Sequence, residues 1–97
     1  MRIIAKSTLK VFWEDHPDSE TPLLTWYRTV QKAEWQTPND VKVTYPSASI
    51  IKGNRMVFNI KGNDYRLIVK IEYEKQIIFI RFVGTHAEYD KVDAATI

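Results

Sequence analysis

The amino-acid sequence predicts an α+β fold, in which a small, mostly antiparallel sheet packs on two N-terminal helices and a short helix follows the last strand. Two observations support this prediction. Before residue 45, apolar side chains recur at three- and four-residue intervals, which is typical of amphipathic helices. From residue 49 the period changes to two, and short turns divide the segment into strands that pair antiparallel.

The N-terminal half is expected to hold a short strand and then helices. Residues 2–5 predict the strand, and the run after Ser7 predicts a short helix that ends near His16. Candidate N-caps for the second helix lie in residues 18–21. A third, shorter helix is predicted to start at residues 37–40, where a proline at the first helical position loses no hydrogen bond. The stripe of the second helix that we expect to face the core consists of Leu23, Leu24, Trp26, Tyr27, Val30 and Ala33.

Four strands are expected in the second half of the chain. Turn-forming pairs at residues 53–54, 62–63 and 74–75 separate them. Two N-terminal helices can cover only one face of the resulting sheet, so we expect the other face to stay open. The predicted strands are residues 49–52, 55–61, 64–73 and 76–83.

Alternation along these strands assigns side chains to the two faces, because successive residues point to opposite sides. In the last strand, we expect Ile78, Ile80 and Phe82 to face the core and Val83 to face the open side. The polar residues that the same alternation places on the open side are Asn59, Lys61, Arg66, Lys70 and Arg81.

The end of the last strand predicts a short helix. Thr85 and Glu88 match a capping box, in which the threonine accepts a backbone N–H and the glutamate reaches back to the cap. The helix then begins at His86, and Tyr89, three residues later, shares its face. Gly84 permits a sharp exit from the strand, so we expect this helix to fold toward the sheet.

Composition limits the class of protein. A chain of 97 residues predicts one domain, residues 1–97. The absence of cysteine excludes disulfides and thiolate metal sites, and a reducing cytoplasm is the expected location. No apolar run approaches the roughly 20 residues that span a bilayer, so we expect no membrane partner. Residues 52–91 carry eight basic and five acidic side chains, whereas residues 11–40 carry two and six, so an anion is expected to bind the second half.

The basic open face, next to a histidine and a tyrosine, suits the cutting of RNA without a metal. That reaction needs a base for the 2′-hydroxyl, cations for the charge that grows on the phosphoryl oxygens, and an acid for the leaving 5′-oxygen. Histidine is the side chain whose ordinary pKa suits proton transfer near neutrality, so His86 is a candidate, and Tyr89 is either the second acid or base or a stacking surface. The candidate phosphate ligands are Arg66, Arg81, Lys61 and Lys70.

Other chemistries lack the residues they need. The two histidines, His16 and His86, are far apart in the chain and belong to no metal-binding motif. No serine nucleophile turn or glycine-rich loop is present, so we expect no metal and no cofactor. The remaining possibilities are metal-free phosphate chemistry or binding alone, and basic residues on an open sheet face are more often simply solvated.

Three stretches of the sequence resemble the HigB toxins of bacterial type II toxin–antitoxin systems, which belong to the RelE/ParE superfamily. These stretches are residues 57–67 (VFNIKGNDYRL), residues 79–82 (FIRF) and residues 84–91 (GTHAEYDK). The similarity extends to residues 5–10 and to the Tyr-Pro-Ser turn at residues 45–47, so it covers nearly the whole chain. It implies a RelE-like fold, mRNA cleavage on the translating ribosome, and neutralisation by a HigA-type antitoxin with a helix-turn-helix domain.

The resemblance also implies roles for single residues. The strand arginine that contacts the scissile phosphate in related toxins corresponds to Arg66, and a basic residue of the preceding strand corresponds loosely to Lys61. A C-terminal tyrosine or histidine corresponds to Tyr89 or His86. We therefore expect Arg66, Arg81, His86, Tyr89 and Lys61 to be catalytic, and Asn59, Lys70 and Lys91 to bind RNA.

Two rival functions remain open at the level of sequence. One is a toxin of the ParE type, which cuts nothing and inhibits a protein target such as gyrase. The other is a degenerate toxin that only binds its antitoxin as a corepressor. His86 and Tyr89 beside the arginines favour the nuclease, because a protein that only binds needs no such pair.

Overall fold

Helices and strands follow one another in an order that confirms the predicted α+β class. The computed structural model describes all 97 residues, and none of its helices is long and apolar enough to cross a bilayer. The elements are β1 (Arg2–Ile4), α1 (Lys6–Asp15), a single 3-10 turn (Pro17–Ser19), α2 (Glu20–Lys32), α3 (Pro38–Thr44), β2 (Ser49–Ile51), β3 (Arg55–Ile60), β4 (Tyr65–Glu72), β5 (Ile77–Thr85) and α4 (His86–Tyr89).

The strands form one five-stranded sheet in the order β1-β5-β4-β3-β2. The neighbours from β2 to β5 pair antiparallel, as the short turns predict, whereas β1 pairs parallel with β5 over residues 2–4 and 77–79. The turn between β3 and β4 uses the left-handed backbone region at Lys61 (φ 52°) and Gly62 (φ 64°). Of the two, only Gly62 adopts this conformation without steric cost, because glycine has no Cβ atom.

The three N-terminal helices pack on one face of the sheet and form the core with it. Trp26 of α2 and Phe58 of β3 lie at its centre, edge to face, with ring centroids 5.4 Å apart. Such aromatic pairs contribute about 1 kcal/mol beyond the area that they bury. The core consists of Leu9, Phe12, Leu23, Trp26, Val30, Trp35, Val41, Ala48, Met56, Phe58, Ile60, Tyr65, Leu67, Val69, Ile71 and Ile78.

The helix starts agree with the sequence prediction at α2 and α3 and differ at α1, although α2 lacks the predicted capping bond. The oxygen Oγ1 of Thr37 accepts the backbone N–H of Asp40, whose carboxylate reaches back to the backbone N–H of Thr37, so a full capping box starts α3. At α2, Ser19 occupies the cap position without a capping bond, because its hydroxyl donates to the carbonyl of His16 instead. Helix α1 begins at Lys6, so Ser7 lies inside it.

A β-bulge interrupts the pairing of β4 with β5. Val69 pairs with Ile80, but the preceding residue, Ile68, pairs with Phe82. Arg81 is therefore an extra residue in β5 with no partner in β4.

This bulge reverses the alternation in the rest of β5. Beyond it, Val83 pairs with Leu67 and packs against the core, whereas Phe82 stays outside the core cluster. The sequence prediction was therefore wrong for these two residues of β5. The physical reason is that one inserted residue moves every following side chain to the other face.

The face of the sheet opposite α1–α3, which we call the outer face, is partly covered by residues 92–97. This segment follows α4 at one end of the face and reaches the other end, where the Nε atoms of Arg55 and Arg81 donate to the carbonyl oxygen of Ile97 at 3.0 and 3.2 Å. Between the two ends, Val57 and Ile68 are 3% and 0% exposed, although neither belongs to the core under the helices. The expectation of an open face therefore holds only for part of it.

An ionic cluster fixes the turn after α1 to the sheet. The carboxylate of Asp18 accepts hydrogen bonds from the Tyr65 hydroxyl and from the Lys61 ammonium, the latter at 2.8 Å. The bond from Lys61, followed by the bond from Tyr65, holds the pKa of Asp18 below its ordinary value. The same carboxylate raises the pKa of both partners. The cluster thus joins residues that are more than 40 positions apart.

We expect Leu67→Ala to lower the free energy of unfolding by about 3 kcal/mol, because the side chain is fully buried and its loss leaves a cavity. Ile50→Ala, at a strand residue that is 57% exposed, is the matched control and should cost less than about 1 kcal/mol. Urea denaturation of both variants measures the difference. Equal losses would contradict the assignment of the core.

We expect Asp18→Asn to remove a pH-dependent part of the stability. Because the folded-state pKa of Asp18 lies below its ordinary value of 3.8, the carboxylate stabilises the fold above that pH, and the contribution disappears as the pH falls through the folded-state pKa. The difference in unfolding free energy between wild type and variant should therefore be largest at neutral pH and should vanish in acid. Glu34→Gln, which removes an exposed carboxylate without an ion pair, should give a difference that changes far less with pH.

Candidate functional site

Arg66 lies on the outer face, in the row of residues nearest α4. It pairs with Asn59 of β3 on one side and with Gly84 of β5 on the other. One of its Nη atoms donates to the carbonyl oxygen of Asn63 at 3.1 Å, which orients the guanidinium group. The side chain makes no ion pair with any carboxylate. A half-buried cation with most of its five donors free suits an anionic ligand.

Gly84 allows α4 to approach this row closely. A Cβ atom at this position would lie 2.5 Å from the ring of Phe82 and 3.1 Å from Oε1 of Glu88. Both distances are shorter than van der Waals contact, so a side chain here would push α4 away from the sheet. The sequence prediction gave Gly84 a conformational role, and the structure adds this steric one.

The predicted capping box at the start of α4 is confirmed. Oγ1 of Thr85 accepts the backbone N–H of Glu88 at 3.2 Å, and Oε1 of Glu88 accepts the backbone N–H of Thr85 at 2.8 Å. The latter bond is the main reason that the pKa of Glu88 is lowered. Glu88 is therefore a carboxylate occupied by the cap, and α4 holds a fixed orientation at the end of β5.

Helix α4 presents His86 and Tyr89 beside Arg66. The guanidinium carbon of Arg66 lies 5.8 Å from the centroid of the Tyr89 ring, a cation–π contact, and the rings of His86 and Tyr89 are 6.4 Å apart. Oδ2 of Asp90 lies 3.3 Å from Nδ1 of His86, which leaves Nε2 of the imidazole free. The His86 side chain is 54% exposed. Arg66, His86 and Tyr89 thus lie close together, and Nε2 of His86 has no protein partner.

Lys61 occupies a different place from the one that alternation predicts. Strand β3 ends at Ile60, and Lys61 has the left-handed backbone of a turn, so the strand alternation does not extend to it. Its ammonium lies 2.8 Å from Asp18 and 3.4 Å from Asp64. The prediction that Lys61 continues the strand was therefore wrong, and two carboxylates hold its charge.

Arg81 and Lys70 lie toward the opposite end of the outer face from Arg66. Lys70 is four residues further along β4, roughly 13 Å at the rise of a strand, and forms an ion pair with Glu72 at 3.6 Å. Arg81 belongs to the bulge and donates to the carbonyl of Ile97. Of the residues predicted to bind RNA, Asn59 flanks Arg66 directly and Lys91 follows α4 with an exposed side chain.

Two further residues lie near these groups and have no role predicted from the sequence. Arg55 of β3 shares its acceptor with Arg81, and only the fold reveals that contact. His16 stacks on Phe12, with ring centroids 4.2 Å apart, in a cleft of about 370 Å³ between α1 and β5. The carboxylates of Asp15 and Glu88 also line that cleft, so it repels a phosphate. No group of three histidine, aspartate or glutamate side chains is arranged to hold a metal ion.

Comparisons with known proteins agree with the fold. A family model for HigB toxin, the RelE-like toxic component of a toxin–antitoxin system, matches residues 19–92. The mRNA interferase toxin HigB of Escherichia coli strain K12 is 34% identical over 92 residues, which are 93% of this chain and 88% of the relative. The mRNA interferase HigB of Escherichia coli O6:H1 is 27% identical over 94 residues, 95% of this chain and 91% of the relative. The chain belongs to the HigB family of RelE-like toxins.

Proposed function

We propose that this chain is a metal-independent endoribonuclease, an mRNA interferase, which cuts translated mRNA at the ribosome. The observation that carries the proposal is the guanidinium group of Arg66, which has no carboxylate partner and lies against Tyr89 with His86 beside it. Relatives that cover most of the chain are named mRNA interferases. Their similarity supports the same activity here.

The proposed reaction is a transfer of the phosphoryl group within the RNA. The 2′-hydroxyl loses its proton to a base as its oxygen bonds to phosphorus, and the bond from phosphorus to the 5′-oxygen breaks as an acid protonates that oxygen. The products are a 2′,3′-cyclic phosphate and a 5′-hydroxyl. Arg66 binds the non-bridging oxygens and stabilises the charge that grows on them. His86, through its free Nε2, and Tyr89, through its hydroxyl, carry out the two proton transfers.

The remaining predicted residues take binding roles in this proposal. Asn59 and Lys91 lie on either side of the reacting phosphate, as neighbours of Arg66 and α4. Lys70 and Arg81 contact the RNA further along the outer face. Lys61 is the exception, because its ion pairs with Asp18 and Asp64 give it a structural role.

A toxin of a toxin–antitoxin system has a cognate antitoxin as its partner. We propose a HigA-type protein with a helix-turn-helix domain for that role. The substrate and the ribosome are in the cytoplasm, where we expect the toxin to act. A gene for such a small DNA-binding protein beside the toxin gene would support the pairing.

We expect Arg66→Ala to lower mRNA cleavage at least about 100-fold and to abolish growth arrest, because it removes the main cationic donor to the transition state. Arg66→Lys should retain part of the activity, since an ammonium keeps the charge without the planar fork. Primer extension on mRNA after induction measures cleavage as new 5′ ends, and thermal unfolding verifies the fold.

Arg28→Ala is the matched control, because this arginine is exposed on α2 and makes no ion pair. A folded Arg66→Ala protein with full toxicity would disprove the assignment. Growth arrest by the wild type without new 5′ ends would instead favour a toxin that inhibits a protein target such as gyrase.

We expect His86→Gln and Tyr89→Phe each to lower the rate of cleavage about 100-fold, because each removes one group that transfers a proton. Tyr27→Phe, at a tyrosine of α2 that contacts Lys6, should have no effect. Single-turnover cleavage of ribosome-bound mRNA is the measurement. If Tyr89→Phe is active and Tyr89→Ala is not, the ring and not the hydroxyl is needed, and the proton-transfer role of Tyr89 is wrong.

A further inference from the structure

Three cations converge at the end of the outer face that lies away from Arg66. Arg55 and Lys70 are direct partners across β3 and β4, and the bulge residue Arg81 reaches toward them from β5. Like charges directly opposite each other in a sheet are destabilising. Among the aspartate and glutamate side chains, only Glu72 pairs with any of the three, at 3.6 Å from Lys70. An anion bound here would relieve this repulsion.

A single oxygen atom occupies the point at which the two arginines meet. The carbonyl oxygen of Ile97 accepts from Nε of Arg55 at 3.0 Å and from Nε of Arg81 at 3.2 Å. Two guanidinium groups directed at one acceptor form a site whose geometry suits an oxygen with a full negative charge. A phosphate group carries such oxygens, so the two arginines suit a phosphate as a ligand.

The segment that provides this oxygen is held by few contacts. Residues 92–97 form a turn in which the carbonyl of Asp93 accepts the backbone N–H groups of Thr96 and Ile97, and its carboxylate accepts that of Ala95 at 3.0 Å. Every residue of the segment is at least partly exposed. It belongs to no helix or strand, so its displacement breaks no part of the sheet.

We propose that Arg55, Lys70 and Arg81 form a second phosphate-binding subsite for the RNA, and that residues 92–97 lie on this subsite until the RNA displaces them. The inference rests on the proposed function, because it takes the substrate to be RNA held at Arg66. The two ends are separated by roughly 13 Å along β4, which a single phosphate cannot bridge and a short stretch of RNA can. The apolar residues Val57 and Ile68 lie on the outer face between these two ends.

Titration of the full chain with non-cleavable RNA tests the subsite. The probes are a six-nucleotide RNA with 2′-O-methyl groups and a dinucleotide of the same chemistry, which has one phosphodiester. In nitrogen-15 NMR spectra, the hexanucleotide should shift the Nε signals of Arg66, Arg55 and Arg81 and the amide signals of residues 93–97. The dinucleotide should shift only the signals near Arg66 and α4.

Substitutions then measure the contribution of each arginine. Arg55→Gln and Arg81→Gln should each weaken hexanucleotide binding roughly tenfold and leave dinucleotide binding unchanged. Each should also reduce the slope of log affinity against log salt by about 0.7, the value for one phosphate contact on a single strand. Arg28→Gln removes the same charge on α2 and is the control. It should change neither the hexanucleotide affinity nor the salt slope. Asp93→Ala, which weakens the turn, should raise hexanucleotide affinity a few-fold.

The outcomes separate this inference from the proposed function. If the Arg55→Gln, Arg81→Gln double variant binds the hexanucleotide as tightly as Arg28→Gln does, or if the wild type does not bind it, the subsite is disproved. Unchanged amide signals of residues 93–97 would disprove the displacement. If the hexanucleotide binds as expected but induction yields no new mRNA 5′ ends, the proposed nuclease fails and the subsite stands.

Discussion

The bulge at Arg81 determines how the two ends of the outer face are arranged. If β5 paired with β4 in regular register beyond Ile80, Phe82 would face the core, Val83 would lie opposite Arg66 on the outer face, and Gly84 would not share a row with Arg66. The bulge makes the last part of β5 follow the opposite alternation, so that the glycine lies next to the arginine and α4 begins on the outer side. The same bulge thus directs Val83 to the core under the helices and sets the position of His86 and Tyr89 on the outer side.

Periodicity and local signals in the sequence predict most of the fold. The capped starts of α3 and α4, the turns and the strands from residue 49 onward all have short-range causes, such as a threonine that caps or a glycine in a turn. The parallel pairing of β1 with β5 depends on contacts more than 70 residues apart, which no local pattern encodes. The bulge also escapes prediction, because Phe82 and Val83 are both apolar and either fits the core.

The candidate site was predictable only in its central part. Arg66, His86 and Tyr89 follow from regular alternation and from a capping box, and both of these hold in the structure. Lys61 and Arg81 lie where regularity ends, in a left-handed turn and in a bulge, so counting residues misplaces them. Arg55 was missed because its significance comes from a tertiary contact with Ile97. Irregular backbone is thus where the structure adds most to the sequence.

The parallel pairing of β1 with β5 also bears on how the protein is made. A chain leaves the ribosome from its N-terminus, so residues 2–4 emerge more than 70 residues before their partners, residues 77–79. The sheet cannot close until most of the chain is available, and α4 follows later still. A nascent chain that has not yet reached residue 77 therefore cannot form this parallel pair, and one that has not reached residue 89 lacks α4.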